Sequence, residues 1–388
     1  MSSLSPPPGA QAQAVSRALQ EKIRSAVQRR GGCLPFPDYM NMALYEPGLG
    51  YYSNGLIPFG EQGDFVTAPE SGTLFGRCLA RCVASVLKQL DNGRVLELGA
   101  GSGVLARVLL QELQALDALP ERYLILERSG AMRGLQQEAL RDLPELAARV
   151  EWLDTLPGET FDGVVLGNEV ADALPVSRFR WHAGRVRSLG VGCDGETLSW
   201  CDLEAGEEAQ HTVAALAEQH RWQGEYLSEY CPGLKAWVGG LCDCIGRGAL
   251  VLVDYGYGRA EYYHPQRSMG TLLCHYRHQA HPDALWFPGL QDITAFVDFT
   301  SIAEAATEAG MRLEGYTSQA RFLLGCGIDR LLAQEDPADT RRFLRLSNEA
   351  KRLMLPGEMG ERFKAIGLSR GLNHPVLGFA LRDLRSRL

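Results

Sequence analysis

From Arg94 onward, short apolar runs alternate with stretches of helical spacing, and that rhythm limits the folds open to this chain of 388 residues. "RVLELGA", "RYLILER", "VEWLD", "FDGVVLGNE" and "GALVLVDYG" each gather aliphatic and β-branched residues. Helical spacing fills residues 103–116 and 130–147 between them. Strands that are apolar along most of their length and separated by helices are buried on both faces, and that calls for parallel pairing. The expected fold is α/β, a mostly parallel sheet with helices on both faces.

Other stretches are read as additions to that core. Residues 31–69, with "FPDYMNMALYEPGLGYYSNGLIPFGEQGDFVTAP", combine turn chemistry with many aromatics, which predicts an ordered functional loop. "SGTLFGRCLARCVASVLKQL" predicts a helix. Residues 177–203 read as β-hairpins, 205–245 as mostly helical, and "HPVLGFALRD" as a last strand. The expected division is an N-terminal helical and loop cap at 1–90, then a core at 91–388 with insertions at about 190–247 and 257–298.

A net charge of −8 with both signs dispersed argues against nucleic acid as partner, while leaving room for recognition of one cationic side chain. No run of 18 apolar residues occurs, so no membrane span is expected. The opening "MSSLSPPPGAQAQAV" lacks a charged segment followed by an apolar one, so it does not read as a secretory signal. The basic stretch from Arg17 to Arg30 reads as an exposed N-terminal helix rather than a transit peptide, and a cytoplasmic location is expected. Ten cysteines without a C-x-x-C pair read as free thiols in a reducing compartment.

The first strand of the core runs into "ELGAGSG". Gly99, Gly101 and Gly103 are spaced G-x-G-x-G, and Val104 stands where a dinucleotide fingerprint has its third glycine. Glycines there let backbone N–H groups and a helix N-terminus approach a ligand. Glu97 would repel a pyrophosphate but suits a ligand whose near end carries an ammonium and a sulfonium. S-adenosylmethionine (SAM) has that charge pattern; a nicotinamide dinucleotide does not. Glu127, ending the second strand, is placed for ribose hydroxyls, and Asp154, ending the third, for the adenine amino group.

"ELGAGSG" resembles motif I of class I SAM-dependent methyltransferases. "YMNMALYEPGLGYY", "GDFVTAPE", "GNEVADALPV", "VDYG", "GTLLCHYRH" and "PGLQDITAFVDFT" narrow the match to the MidA-like methyltransferases, relatives of a mitochondrial complex I assembly factor that dimethylates an arginine. The resemblance runs from about Phe36 to Lys364. It implies a Rossmann-like methyltransferase core with an N-terminal cap and substrate-side insertions, SAM as cofactor, and a protein client with an arginine acceptor. It also implies that "GDFVTAPE" covers the cofactor cleft, which would put Gly63, Asp64, Phe65 and Thr67 beside SAM.

An arginine acceptor needs carboxylates, because its guanidinium stays protonated up to a pH of about 12. "GNEVADALP" supplies Asn168, Glu169 and Asp172 just past the fourth strand, where a helical turn would bring both acids to one face. A helix start capped by Asn168 is the alternative for the same residues. Asp254 of "VDYG" either lines the substrate cleft or caps a turn. His275, His278 and His281 are spaced three apart without a zinc motif, so no metal is expected; with Asp292 and Asp298 they read as a polar wall. Two rivals remain: a nicotinamide-dependent oxidoreductase on the same fold, and a SAM-binding assembly factor without catalysis. A homodimer is expected from the aromatic-rich insertions.

Overall fold

The apolar runs pair as their composition requires. In the computed structural model, which describes residues 8–56, 67–336 and 338–388, the core strands are β1 (Arg94–Leu98), β2 (Tyr123–Leu126), β3 (Val150–Leu153), β4 (Phe161–Asn168), β5 (Ile245–Tyr257), β6 (Arg312–Ser318) and β7 (Phe363–Arg370). They lie in the order β6-β7-β5-β4-β1-β2-β3. β1 to β5 are parallel, whereas β7 runs antiparallel to both β5 and β6. Leu250 to Val253 on β5 are at most 1% exposed, so both faces of that strand are covered. A dinucleotide-binding sheet has the order 3-2-1-4-5-6; here an antiparallel strand is inserted between the fifth and sixth.

That inserted strand corrects the sequence reading. β7 is "FKAIGLSR", not "HPVLGFALRD". Lys364 interrupts its apolar signal, yet is 6% exposed. Its ammonium donates to the Glu361 carbonyl and lies 5.3 Å from the centre of the Tyr257 ring.

The chain divides into two units, each assembled from three stretches. The unit holding the core sheet comprises Val66–Ala171, Lys235–Gly258 and Phe299–Leu388. Its helices α1 (Leu74–Leu87) and α2 (Val104–Ala115) bury leucines and valines on one face of the sheet, and α3 (Gly130–Ala139) follows β2. The expected boundary at residue 90 is therefore too late, because α1 belongs to the core. Glu349 caps α1, accepting from the Leu74 amide at 2.5 Å.

The other unit comprises Met1–Phe65, Asp172–Leu234 and Arg259–Asp298. Most of the expected cap and of the two expected insertions thus fall in one unit, with Asp172–Leu234 in place of 190–247 and Arg259–Asp298 in place of 257–298. The helix Ala10–Arg29 is not merely exposed: Leu19, Ile23, Ala26 and Val27 are buried in this unit's core with Phe36, Tyr39 and Ile293. Residues 177–182, 185–194 and 197–204 form antiparallel hairpin strands. Glu225–Tyr230, within the stretch read as mostly helical, is a strand paired with 177–182.

Cys33 and Cys201 are joined in a disulfide, which corrects the reading of all ten cysteines as free thiols. His275 and His281 fall on two strands of a hairpin, so their spacing has no helical meaning. Asp292 accepts from the Tyr52 hydroxyl at 2.8 Å, and Asp298 pairs with Arg259 at 3.2 Å. Those two acids are thus engaged inside the unit.

Candidate active site

At the C-terminal end of β1 the chain makes the turn that its glycines allow. Gly99, Gly101 and Gly103 have φ of 58°, 53° and 86°, in the left-handed region that side chains resist. A Cβ on Gly101 would meet no heavy atom within 4 Å, so that backbone is open to a ligand. A Cβ on Gly103 would lie 2.8 Å from Gln136 Cα, so this glycine lets α3 close against the loop. α2 then starts at Val104, directing its N-terminus at the turn.

Beneath the turn, Glu97 is 1% exposed and accepts from the Tyr123 hydroxyl at 2.7 Å. Burial pushes its carboxyl up to about 7, the Tyr123 hydrogen bond opposing. Near neutral pH the charge placed there is therefore only partly present.

Glu127 follows β2. Its Oε1 accepts from the Ser129 amide at 2.8 Å and its Oε2 from Gln136 Nε2 at 3.3 Å. Burial raises its carboxyl above the usual range. A carboxylate so held keeps acceptor sites for two hydroxyl donors. On the other side of β1, Asn168 ends β4, and its Nδ2 donates to Glu169 Oε1 at 2.9 Å. Asn168 Oδ1 is buried without a hydrogen-bond partner among the described residues, a position that costs roughly 1–3 kcal/mol unless a ligand donor fills it.

Glu169 itself has φ of 53°. A side-chain-bearing residue there stores about 1–2 kcal/mol of strain. The neighbouring strand holds it: the Glu169 amide donates to the Val253 carbonyl at 3.0 Å. Asp254 Oδ2 then accepts from the Val170 and Ala171 amides at 3.2 and 2.9 Å. The Glu169 loop is thus fixed by β5.

Open glycine backbone, a hydroxyl acceptor and an orphaned amide oxygen suit a ligand with a ribose at one end and an ammonium at the other. Residues 78–317 match a family model described as "Putative S-adenosyl-L-methionine-dependent methyltransferase". The chain belongs to that family. Among relatives of this methyltransferase are "Protein arginine methyltransferase NDUFAF7, mitochondrial" of Rattus norvegicus, 29% identical and covering 91% of this chain and 83% of its own. The homologue named likewise from Caenorhabditis elegans is 26% identical, covering 91% and 86%. A Burkholderia thailandensis protein solved with S-adenosyl-homocysteine bound is 44% identical, covers 99% of this chain and all of that one, and superposes with a TM-score of 0.94.

These findings make the enzyme SAM-dependent and set aside the nicotinamide and non-catalytic readings. They also correct the cytoplasmic expectation, since the curated relatives are named as mitochondrial proteins. In the methyltransferase, two other expectations change. Residues 169–176 are bend, turn and irregular chain, not helix, so neither the shared helical face of Glu169 and Asp172 nor a cap by Asn168 exists. Asp254 is 2% exposed and serves the Glu169 loop through its amides, as the turn reading had it. Asp154 has a side chain 76% exposed and paired with Arg133 at 2.7 Å.

Gly63, Asp64 and Phe65 lie outside the described residues. The Thr67 carbonyl accepts from the Ser71 amide at 3.2 Å, opening the short turn Pro69–Ser71. Next to it, Glu70 accepts from the Ser102 hydroxyl of the glycine turn. Glu70, Tyr123 and Gln136 were not singled out by the sequence; only "PE" after "GDFVTA" hinted at the first. Among the described residues no group of three or more His, Cys, Asp or Glu is placed to hold a metal ion.

Proposed function

We propose that this methyltransferase modifies an arginine nitrogen of a protein client, with Glu169 as the residue that orients the acceptor. The backbone of Glu169 carries this reading: a carboxylate held in a strained conformation at the C-terminal lip of a parallel strand, where α/β sheets bind ligands. The relatives named protein arginine methyltransferases support the acceptor class.

SAM supplies an electrophilic methyl carbon on a sulfonium. The chain's part is to orient and to take up charge. Glu169 accepts hydrogen bonds from the guanidinium fork, localising its charge away from the nitrogen that attacks. As the N–C bond forms and the C–S bond breaks, the bonding pair goes to sulfur and the surplus proton leaves to a carboxylate or water. Asp172, three residues on, is the second carboxylate of this proposal. For the cofactor, Glu127 takes the ribose hydroxyls, Asn168 Oδ1 the ammonium, and the Gly99–Gly103 backbone the space between. Glu97 supports the turn from below, Asp154 is retained for the adenine edge and Thr67 for the cover. A net charge of −8 suits a cationic protein segment better than a nucleic acid, and no described helix is long and apolar enough to cross a membrane. Dimer formation belongs to the same proposal and is read by light scattering.

The test is Glu169→Gln. Methylarginine on client proteins, mapped by mass spectrometry in cells carrying either form, should vanish while calorimetric affinity for S-adenosylhomocysteine stays within about threefold. Unchanged methylation sinks the role given to Glu169; methylation found only on another residue type sinks the acceptor class.

A further inference from the structure

Gln136 is fully buried on α3, and its amide is shared among three elements. Nε2 donates to the Gly101 carbonyl at 3.0 Å and to Glu127 Oε2 at 3.3 Å, while Oε1 accepts from Trp152 Nε1 at 2.8 Å. An indole N–H can only donate, so Trp152 fixes which end of the amide is oxygen. Both amide protons are then committed, one to the glycine turn and one to the carboxylate after β2. The backbone of Gln136 also touches that turn, since Gly103 can carry no Cβ beside it.

We infer that Gln136 is a positioning residue that sets the glycine turn and Glu127 at a fixed separation, so that a ligand's ribose is recognised by its hydroxyls. This rests on the reading of Glu127 as the hydroxyl acceptor. Without the amide, Glu127 keeps only backbone donors, those of Ser129 and Arg128, and its carboxylate can rotate about them. The turn would likewise lose its link to the acid. Binding energy that depends on both should fall together, and what falls is discrimination for the ribose rather than affinity for the adenine.

The experiment compares calorimetric binding of S-adenosylhomocysteine and its 2′-deoxyribose analogue to the wild type, Gln136→Met, Trp152→Phe and Glu127→Gln. Methionine keeps the volume and removes both polar ends. Gln136→Met should weaken S-adenosylhomocysteine roughly tenfold but the deoxy analogue by less than about threefold. Trp152→Phe, which frees the amide to flip on the edge strand β3, should shift the same ratio in the same direction by a smaller factor, and it decides the matter if Gln136→Met does not fold. Equal weakening of both ligands, or an unaltered ratio in the variant that folds, makes Gln136 a packing residue and overturns the inference. If Glu127→Gln also leaves the ratio unaltered, the reading of Glu127 falls with it; if Glu127→Gln alone collapses the ratio, only the role of Gln136 falls.

Discussion

Replacing Glu97 by glutamine should stabilise the fold, and by an amount that grows with pH. Glu97 is enclosed, and its carboxyl rises from the usual 4.5 to about 7 because burial penalises the charged form. Between those values the folded chain keeps a proton that the unfolded chain has released. With more protons bound in the native state, stability must fall as pH rises. The loss starts near pH 4.5, is complete just above pH 7, and at 1.36 kcal/mol per pH unit amounts to about 3 kcal/mol. Glutamine still accepts from the Tyr123 hydroxyl and has no charge to bury. Urea unfolding followed by tryptophan fluorescence, on both proteins between pH 5 and 8, isolates the effect, since other titrating groups cancel in the difference. The advantage of Glu97→Gln should widen across that range by about 2–3 kcal/mol. A difference that stays flat would mean that Glu97 is already charged in the fold, and would refute the argument from burial.

Glu169→Gly, which suits φ of 53°, should change stability by less than about 1 kcal/mol while transfer drops at least about a hundredfold; melting and turnover falling together would contradict this. Gly103→Ala pays for both its φ of 86° and the 2.8 Å approach to Gln136 Cα, and should cost about 2–4 kcal/mol. Gly101→Ala meets only the φ cost, about 1–2 kcal/mol, so equal melting temperatures of the two variants would be the adverse result. Cys33→Ser opens a bridge between residues 168 apart and should cost roughly 2–5 kcal/mol; reductant should lower the wild-type melting temperature and leave the variant unmoved.

The parallel strands could be read from sequence because Leu250 to Val253 and their neighbours are apolar in unbroken runs, and burial on both faces leaves few alternatives. β7 escaped because Lys364 hides among its apolar residues and finds its partners only in the fold. Glu225–Tyr230 escaped because its partner strand, 177–182, lies over forty residues earlier. The spacing of Gly99, Gly101 and Gly103 was enough to single out the turn. The state of Glu97 was not readable, since the same letter serves a solvated anion or an acid whose carboxyl burial pushes up to about 7. The buried glutamine on α3 gave no signal at all: nothing in "GLQQEAL" tells Gln136 from Gln137 until α3 packs. The shared helical face of Glu169 and Asp172 was misjudged because φ at Glu169 breaks the helical geometry that a spacing of three presumes.

The order in which the sheet's strands occur along the chain has a consequence for synthesis. β6 ends at Ser318, but its hydrogen-bonding neighbour β7 begins only at Phe363 and must enter between β6 and β5. Until then a nascent chain leaves the β5 stretch Gly248–Tyr255 without its β7 partner and β6 with nothing to pair to. Such edges are templates for wrong partners. The sheet can therefore close only once Phe363–Arg370 has been synthesised, and a chain halted before Phe363 would lack the strand that joins β5 to β6.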